Sequence, residues 1–261
     1  MGRYVYDQAW EQERERLLGM ARLWDAGTFA LFERLGVGAG WRCLEIGAGA
    51  GSVSSWLAER VGPSGRVVAA DLDPRYLEPL AGGPLEVARV DVLADGLERG
   101  AFDLVYSRLV AEHLGSEAVR RMAAAVAPGG VLLLEDHDFA GRVVYPAEPS
   151  LERAWSALLE LMSRSGFDPS FGRRLPSELR AAGLPDVQAE GRVRVFAGGT
   201  AETAFSRLTL VAMRERIVTS GALDADSVER AIAALDDPER TFLSGTMIAC
   251  WGRARDAKHG A

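Results

Sequence analysis

The stretch LEIGAGAGS, residues 44 to 52, places three glycines within five positions directly after a short apolar run. A glycine-rich turn that follows a strand predicts a nucleotide-like ligand held against the main chain. Dinucleotide-binding turns have the spacing G-x-G-x-x-G, whereas position 52 is Ser52 and the pattern here is E-x-G-x-G-x-G. Glu45, at the end of the strand, would repel a pyrophosphate but not a cationic amino-acid tail. The spacing therefore favours a nucleoside with a charged tail over a dinucleotide.

Short apolar runs alternate with helical patterns from residue 42 to about residue 136. Strands are predicted at 42–46, 66–72, 85–90, 102–107 and 131–136, and helices at 52–62, 74–80 and 116–130. The last of these strands, VLLLED, is apolar along nearly its whole length, as expected of a strand that is covered on both faces. The alternation predicts a parallel sheet with helices on both sides.

The remainder of the chain departs from strict alternation. Further helices are predicted at 151–166, 175–184, 203–219 and 226–235, and further strands at 187–197 and 241–253. We expect a single α/β domain, residues 1–261, with a doubly wound, mostly parallel seven-stranded sheet. Its expected parts are an N-terminal helical cap at 1–40 with two helices within 8–36, a ligand-binding core at 42–138, and a helical cap insertion at 198–240.

Composition narrows the class of protein. The 261 residues are 48% hydrophobic and 26% charged, which is typical of a soluble globular protein, and the net charge is −7. An acidic protein has no general attraction to phosphate backbones or anionic membranes, so neither nucleic acid nor membrane is an expected partner. The start of the chain lacks a signal-peptide pattern, and Cys43 and Cys250 lie in apolar, strand-like surroundings typical of buried thiols. These features predict a cytoplasmic protein.

Two further acidic residues end predicted strands at the edge where the glycine turn lies. Asp71 ends the second strand, where a carboxylate can accept hydrogen bonds from both hydroxyls of a ribose. Asp91 ends the third strand and is placed to accept from an exocyclic adenine amine. Asp71 alone does not separate dinucleotides from other nucleosides. Together with Glu45, the set describes a pocket for an adenosine with a short charged tail and no phosphate.

The segments LEIGAGAGS, VVAADLDP, VARVDV, FDLVYSRLVAEHL and APGGVLLLED occur in that order within residues 42–138. In this order and spacing they resemble the class I S-adenosylmethionine-dependent methyltransferases, and within them the small-molecule enzymes of actinobacterial type. The resemblance implies S-adenosylmethionine as cofactor, S-adenosylhomocysteine as product, and a cofactor-binding core at 42–138. It assigns the methionine portion to Glu45, Gly47, Ala48, Gly49, Gly51, Ser107 and Arg108, the ribose to Asp71 with Leu72, and the adenine amine to Asp91 with Val92.

Two of the three histidines follow strands that end at the same edge. His113 follows the fourth strand and His137 the fifth, so either could act as a general base, although His113 could equally pack or cap a helix start. His259 lies in the C-terminal tail. The EDHD run around His137 invites a metal hypothesis, but adjacent residues on a strand point to opposite faces, so we expect no metal site.

Acceptor contacts are harder to predict. The expected substrate-binding residues are Tyr4, Asp136, Phe167 and Phe171, although an aromatic residue at helical spacing is more often part of the core. Arg192 and Arg194 alternate with valines, which most simply predicts a solvated face.

The leading functional hypothesis is methyl transfer to the oxygen, nitrogen or carbon atom of a small organic acceptor, and the resemblance implies specialised metabolism. A homodimer is left open. The alternatives are a cofactor-binding domain of the same fold that serves as a cyclisation catalyst or a non-catalytic module, and a nicotinamide dehydrogenase, which would require the longer glycine spacing.

Overall fold

The computed structural model describes residues 12–256, so Tyr4 and His259 lie outside the described residues. The chain divides into two compact units. The sheet unit comprises Asp25–Asp138, Ser170–Arg192 and Met247–Ala261, and the helical unit comprises Met1–Trp24, Phe139–Pro169 and Val193–Thr246. Among the described residues, no helix has both the length and the apolar composition needed to cross a membrane.

The strands are β1 Arg42–Ile46, β2 Arg66–Asp71, β3 Leu85–Arg89, β4 Phe102–Arg108, β5 Val126–Asp138, β6 Val143–Tyr145, β7 Gln188–Arg192, β8 Val195–Ala197, β9 Thr241–Leu243 and β10 Thr246–Arg253. The helices are α1 Glu13–Leu35, α2 Ser52–Val61, α3 Ala111–Leu114, α4 Ser116–Ala125, α5 Pro149–Ser163, α6 Phe171–Ala181, α7 Ala204–Thr219 and α8 Ala225–Ala234.

The sheet unit is built on a seven-stranded sheet in the order β3-β2-β1-β4-β5-β10-β7. The pairs β3–β2, β2–β1, β1–β4 and β4–β5 are parallel, while β10 and β7 are antiparallel. The winding reverses at β1, because the chain moves from β1 through β2 to β3 on one side and continues at β4 on the other. The prediction of a mostly parallel seven-stranded α/β sheet is confirmed, and its ligand edge is expected at the carboxyl ends of β1 and β4.

Alternation along the strands gives the sheet two apolar faces. Leu44, Ile46 and Leu134 belong to one core cluster, which also contains Met122 of α4 and Leu175 of α6; we call this the α4 face. The strand residues that alternate with these belong to a second cluster, which also contains Leu31 and Phe32 of α1. We call this side of the sheet the α1 face. Because successive side chains point to opposite sides, every residue near a strand end can be assigned to one face.

The helical unit has its own small sheet, three antiparallel strands in the order β6-β9-β8. The paired residues Val144, Phe242 and Phe196 lie in register across it, and Phe196 stacks on Phe242 with ring centroids 5.8 Å apart. Trp155 of α5 also packs against Phe242, edge to face at 6.4 Å. This sheet and helices α5, α7 and α8 form one apolar cluster.

Several predicted boundaries are wrong for identifiable reasons. The predicted strands 187–197 and 241–253 are each broken in two, and the inner pieces β8 and β9 belong to the small sheet. The break is fixed by Arg194 and Ser244, whose main chains hydrogen bond, with the Arg194 N–H also donating to Ser244 Oγ at 3.0 Å. Strand β6 and helix α3 were not predicted, being too short to show a period.

The N-terminal prediction is also wrong over the described residues, since α1 is one continuous helix instead of two. Gly27, within this helix, marks a close contact, since a Cβ there would lie 2.1 Å from Nη1 of Arg192. The predicted helix 116–130 ends at Ala125, because the following Val126 already pairs with Phe102 of β4.

Candidate functional site

The glycine turn leaves β1 at the point where the winding reverses. Gly47, Gly49 and Gly51 have φ angles of 74°, 56° and 81°, in the left-handed region where a side chain is strained. A Cβ at Gly47 would lie 2.3 Å from Cγ2 of Val110, and one at Gly51 would lie 2.4 Å from Cδ1 of Leu80. The turn is therefore a cradle of bare main chain. Its start is held by β2, since the Gly47 and Ala48 N–H groups donate to the Ala70 carbonyl.

Asp71 ties the end of β2 to this cradle. Its Oδ2 accepts a hydrogen bond from the Gly49 N–H at 2.9 Å, and its Oδ1 accepts one from the Asp73 N–H at 3.0 Å. Burial raises the pKa of Asp71, and these two N–H groups oppose that rise. The next residue, Leu72, exposes 44% of its surface and Leu80 beside Gly51 exposes 39%, so apolar surface borders the carboxylate.

Asp91 follows β3 at the same edge and closes a turn. Its N–H donates to Oδ2 of Asp95 at 2.7 Å, and its Oδ1 accepts from the Leu93 N–H at 2.9 Å. The adjacent Val92 is buried in the cluster of the α4 face. The carboxyl edge thus carries acidic groups after three neighbouring strands.

Glu45 is almost entirely buried on the α1 face of β1. Ser54 Oγ, from the first turn of α2, donates a hydrogen bond to its carboxylate. Burial raises the pKa of Glu45 to about 8, against the opposing effects of the Ser54 hydrogen bond and the charge of Arg108. The charges of Asp25 and Asp71 add to the rise. Near neutral pH this carboxyl is therefore largely protonated.

Arg108 ends β4 on the same face of the sheet as Glu45. Its Nη2 donates to Oδ1 of Asp25 at 2.8 Å and its Nη1 donates to Oγ1 of Thr28 at 3.3 Å, both on α1. The preceding Ser107 points to the α4 face, where its Oγ is buried and has no hydrogen-bond partner among residues 12–256. Ser107 pairs in register with Ile46, the last residue before the glycine turn.

A second group of buried polar side chains surrounds Glu135 of β5. The carboxylate accepts hydrogen bonds from Tyr106 Oη at 2.8 Å and Thr28 Oγ1 at 2.7 Å, and it forms an ion pair with Arg192. The prediction that Arg192 belongs to a solvated face is wrong, because β7 directs its guanidinium inward, between Glu135 and the bare main chain at Gly27. Arg194 is exposed, in agreement with that prediction.

The two candidate histidines lie beside a buried carboxylate that sequence reasoning missed. Glu112 of α3 accepts a hydrogen bond from the His137 N–H at 3.0 Å, and its own N–H donates to Oδ1 of Asp136 at 3.2 Å. Nε2 of His113 is 4.0 Å from Oε1 of Glu112. The reciprocal bonds attach α3, which carries His113, to the end of β5, which carries Asp136 and His137.

Asp136 and His137 face opposite sides of β5, so they do not act as one side-chain pair. Burial raises the pKa of Asp136 well above its ordinary value, and its carboxylate is engaged by the backbone of α3. The start of α6 packs on the same main chain, since a Cβ at Gly172 would lie 2.5 Å from the Asp136 carbonyl oxygen. Asp136 therefore contacts the main chain of α3, and its expected contact with substrate stays a prediction.

The two predicted substrate aromatics lie in separate clusters. Phe171 is buried in the cluster of the α4 face, and Phe167 is buried in the cluster of the helical unit, where its ring centroid lies 6.1 Å from that of Phe139. Both fit the alternative that they are core residues. Within residues 12–256, no group of three or more His, Cys, Asp or Glu side chains could hold a metal ion.

Four polar residues at this edge were not predicted: Asp25, Thr28, Glu112 and Glu135. Glu135 carried a usable signal, because it ends an apolar strand in the same way that Glu45 does. Asp25 and Thr28 lie within α1, and nothing in their local pattern distinguishes them from other polar residues of a helix.

Comparison with known proteins finds similarity to methyltransferases. The model of a protein family described as "Methyltransferase domain" matches residues 44–134. The chain is 33% identical over 147 residues to "Methyltransferase str2" of Strobilurus tenacellus, a match that covers 54% of this chain and 52% of that protein. This chain therefore spans about half the length of that relative.

A second relative is matched over more of its length. The chain is 32% identical over 122 residues to the "Ubiquinone/menaquinone biosynthesis C-methyltransferase UbiE" of Ectopseudomonas oleovorans, covering 43% of this chain and 70% of the relative. A solved structure, phosphoethanolamine N-methyltransferase 2 of Haemonchus contortus in complex with S-adenosyl-L-methionine, has a TM-score of 0.55 at 17% identity, covering 89% of this chain and 53% of that one. The structural likeness concerns the fold alone. Neither relative supports the narrower resemblance to actinobacterial enzymes.

Proposed function

The chain belongs to the class I S-adenosylmethionine-dependent methyltransferase family, and from this premise we propose that it transfers a methyl group from S-adenosylmethionine to a small organic acceptor. The observation that carries the proposal is the cradle at Gly47–Gly51, bare of side chains and bonded to Asp71. The acceptor atom is oxygen, nitrogen or carbon, in a compound of specialised metabolism.

The residues at the carboxyl edge fit this cofactor. The cradle admits close approach of a ligand to the main chain, and Asp71 can accept hydrogen bonds from ribose hydroxyls beside the apolar surface of Leu72. Asp91 and Val92 would bound the adenine. The unpartnered Ser107 Oγ and the buried Glu45 carboxyl would face the methionine portion. S-adenosylhomocysteine, the product, lacks only the methyl group and would occupy the same residues.

The cofactor supplies an activated methyl group on a sulfonium, so the protein's contribution is alignment, exclusion of water and, for some acceptors, removal of a proton. We assign proton removal to His113 and His137, which the hydrogen bonds of Glu112 and Asp136 hold at the end of β5. With an acceptor identified, His137→Ala should lower turnover more than it lowers cofactor affinity. Unchanged turnover would leave His137 with a structural role.

The expected partners follow from composition. A net charge of −7 provides no general attraction to nucleic acid, so the acceptor is a free small molecule. Two buried free cysteines fit a reducing compartment, and we place the protein in the cytoplasm. Assembly as a homodimer belongs to the same proposal, and sedimentation velocity tests it directly.

The proposal is tested by thermal unfolding with S-adenosylmethionine, with S-adenosylhomocysteine, with NAD and without ligand. A ligand present at about 100 times its dissociation constant adds about 2.7 kcal/mol of stability, which is visible as a higher midpoint. We expect both sulfur nucleosides to raise the midpoint and NAD to leave it unchanged. Stabilisation by NAD alone would overturn the proposal, whereas stabilisation by the sulfur nucleosides directs the search to acceptors with release of S-adenosylhomocysteine as the readout.

A further inference from the structure

An acidic residue of α1, Asp25, lies at the carboxyl end of β4, on the sheet face that carries Glu45. Asp25 pairs with Arg108 at 2.8 Å, and the two side chains expose only 17% and 8% of their surface. Their residues are 83 positions apart in the chain, so the pair depends on the docking of α1 against β4. An ion pair this deeply buried is costly to break from one side only.

The charges around this pair are unbalanced. The negative charges of Asp25 and Asp71 raise the pKa of Glu45, and the positive charge of Arg108 lowers it. The other guanidinium on this face, that of Arg192, is paired with Glu135. Arg108 is therefore already paired with Asp25, and Glu45, on the same face of the sheet, is the carboxyl group left with a raised pKa.

We propose that Asp25 is a third binding group for the amino-acid end of the cofactor, taking its ammonium together with Glu45 while Arg108 takes its carboxylate. The proposal rests on the function proposed above and adds a residue of α1 to it. A zwitterion presents one charge of each sign, so it can join the Asp25–Arg108 pair without leaving either partner unpaired. The ammonium then lies beside Asp25 and Glu45 and favours the ionised form of Glu45, while Arg108 neutralises the carboxylate of the ligand.

This arrangement makes a specific demand on the ligand. S-adenosylhomocysteine carries the amino-acid end, whereas 5′-methylthioadenosine has the same adenosine and thioether without it. If Asp25 binds the ammonium, its charge matters for the first ligand and not for the second. A purely structural role of Asp25 in docking α1 would affect both ligands equally.

The test is calorimetric titration of both ligands into the wild type, Asp25→Asn and Asp103→Asn. The amide of Asp25→Asn keeps the size of the side chain and an oxygen that can accept from Arg108, and removes only the charge. Asp103→Asn is the matched control, because Asp103 pairs with Arg42 at 2.9 Å at the opposite ends of the same strands. We expect Asp25→Asn to raise the dissociation constant of S-adenosylhomocysteine about tenfold or more, and to leave that of 5′-methylthioadenosine within about twofold of the wild-type value.

Asp103→Asn should change neither dissociation constant. Equal weakening of both ligands by Asp25→Asn, or no weakening of either, overturns the inference while leaving the proposed function in place. Failure of the wild type to bind S-adenosylhomocysteine overturns the proposed function itself.

A second measurement covers the case in which Asp25→Asn does not fold. The wild type is titrated with S-adenosylhomocysteine and with its deaminated analogue, which lacks only the ammonium. The inference requires the analogue to bind at least about tenfold more weakly, and equal affinities would overturn it. Asp25→Glu, which keeps the charge, should retain a preference for S-adenosylhomocysteine over 5′-methylthioadenosine.

Discussion

The two edges of the large sheet hold the same kinds of charged residue in opposite circumstances. At the amino ends of the strands, Arg42 pairs with Asp103 at 2.9 Å, and Arg66 pairs with Glu86 at 2.9 Å and with Glu98 at 3.0 Å. These side chains are largely exposed, and each carboxylate has an arginine beside it. The hydrogen bond from Arg66 lowers the pKa of Glu86.

At the carboxyl ends, three carboxyl groups are bonded to N–H and O–H groups, and Glu135 is the buried carboxylate that has an arginine, Arg192, beside it. Glu45 accepts a hydrogen bond from Ser54 Oγ, Asp71 accepts two from backbone N–H groups, and Asp136 accepts one from the backbone of α3. Burial raises the pKa of all three. The partners of an acidic residue near a strand end therefore separate two cases. Paired with arginine in water, the residue stabilises the fold modestly. Buried without a cation at the glycine turn, as Glu45 and Asp71 are, it marks a candidate binding site, whereas Asp136 is bonded to the backbone of α3.

The largest expected effect concerns Glu45 and the pH dependence of stability. Its pKa is raised from 4.5 to about 8 in the folded protein, so the folded state holds a proton that the unfolded state loses. The free energy of unfolding of the ligand-free wild type should therefore fall as pH rises from about 4.5 to about 8, by on the order of 4 kcal/mol relative to Glu45→Gln. Chemical denaturation across this range measures the difference.

The matched variant at the other edge is Glu86→Gln. Because the pKa of Glu86 is lowered, the difference in unfolding free energy between the wild type and Glu86→Gln should stay constant between pH 5 and pH 8. Parallel curves for the wild type and Glu45→Gln would remove the contrast between the two edges.

The next effect is on ligand affinity. Asp71→Ala removes the carboxylate proposed to bind the ribose and frees the Gly49 N–H of the cradle. Hydrogen bonds to charged groups are worth about 1.5–3 kcal/mol each, so the dissociation constant of S-adenosylhomocysteine should rise about 100-fold or more. Asp103→Ala, at the amino edge, should leave it unchanged. Equal affinities of Asp71→Ala and wild type in calorimetry would exclude Asp71 from the site.

A smaller effect is expected on unfolding free energy when either of two glycines with left-handed backbone conformation is replaced by alanine. Gly51 has φ 81° with Leu80 in the path of a Cβ, and Gly100 has φ 60° with no atom within 4 Å of one. Gly100→Ala should cost about 1 kcal/mol from the backbone alone, and Gly51→Ala about 1–3 kcal/mol together with weaker cofactor binding. Urea unfolding of the two variants gives the comparison. Equal losses of unfolding free energy would show that the cradle accommodates a methyl group at position 51.

The smallest effect is expected at the amino edge itself. Arg66→Ala breaks two exposed ion pairs, which typically contribute less than about 1 kcal/mol each. The loss should shrink further in high salt, and cofactor affinity should stay at the wild-type value. A loss of several kcal/mol, or a change in affinity, would show that the two edges are less distinct than their partners indicate.

The sequence predicted those features that depend on local pattern. The five parallel strands, the glycine turn and the acidic residues at the ends of β1 and β2 follow from alternation, spacing and position. The family resemblance then supplied a cofactor for the turn. Each of these signals lies within a few neighbouring residues.

The features that the sequence could not predict join distant residues. Thr28 reaches Glu135 across 107 positions, and Arg192 reaches the same carboxylate across 57. Arg192 had the alternating neighbours of a solvated strand, and only the tertiary fold turns it inward. Glu112 was hidden for another reason, because α3 has four residues and shows no period.

The contact between Gly27 and Arg192 limits how this protein can vary. A methyl group at position 27 would occupy the space of the guanidinium, and the guanidinium neutralises a carboxylate that is otherwise buried. Neither residue can change alone without a clash or an uncompensated charge, so acceptable replacements at positions 27, 135 and 192 should depend on one another. Homologous chains are expected to show these three positions changing as a set, and the order in which substitutions accumulate should matter more here than at the exposed ion pairs of the opposite edge.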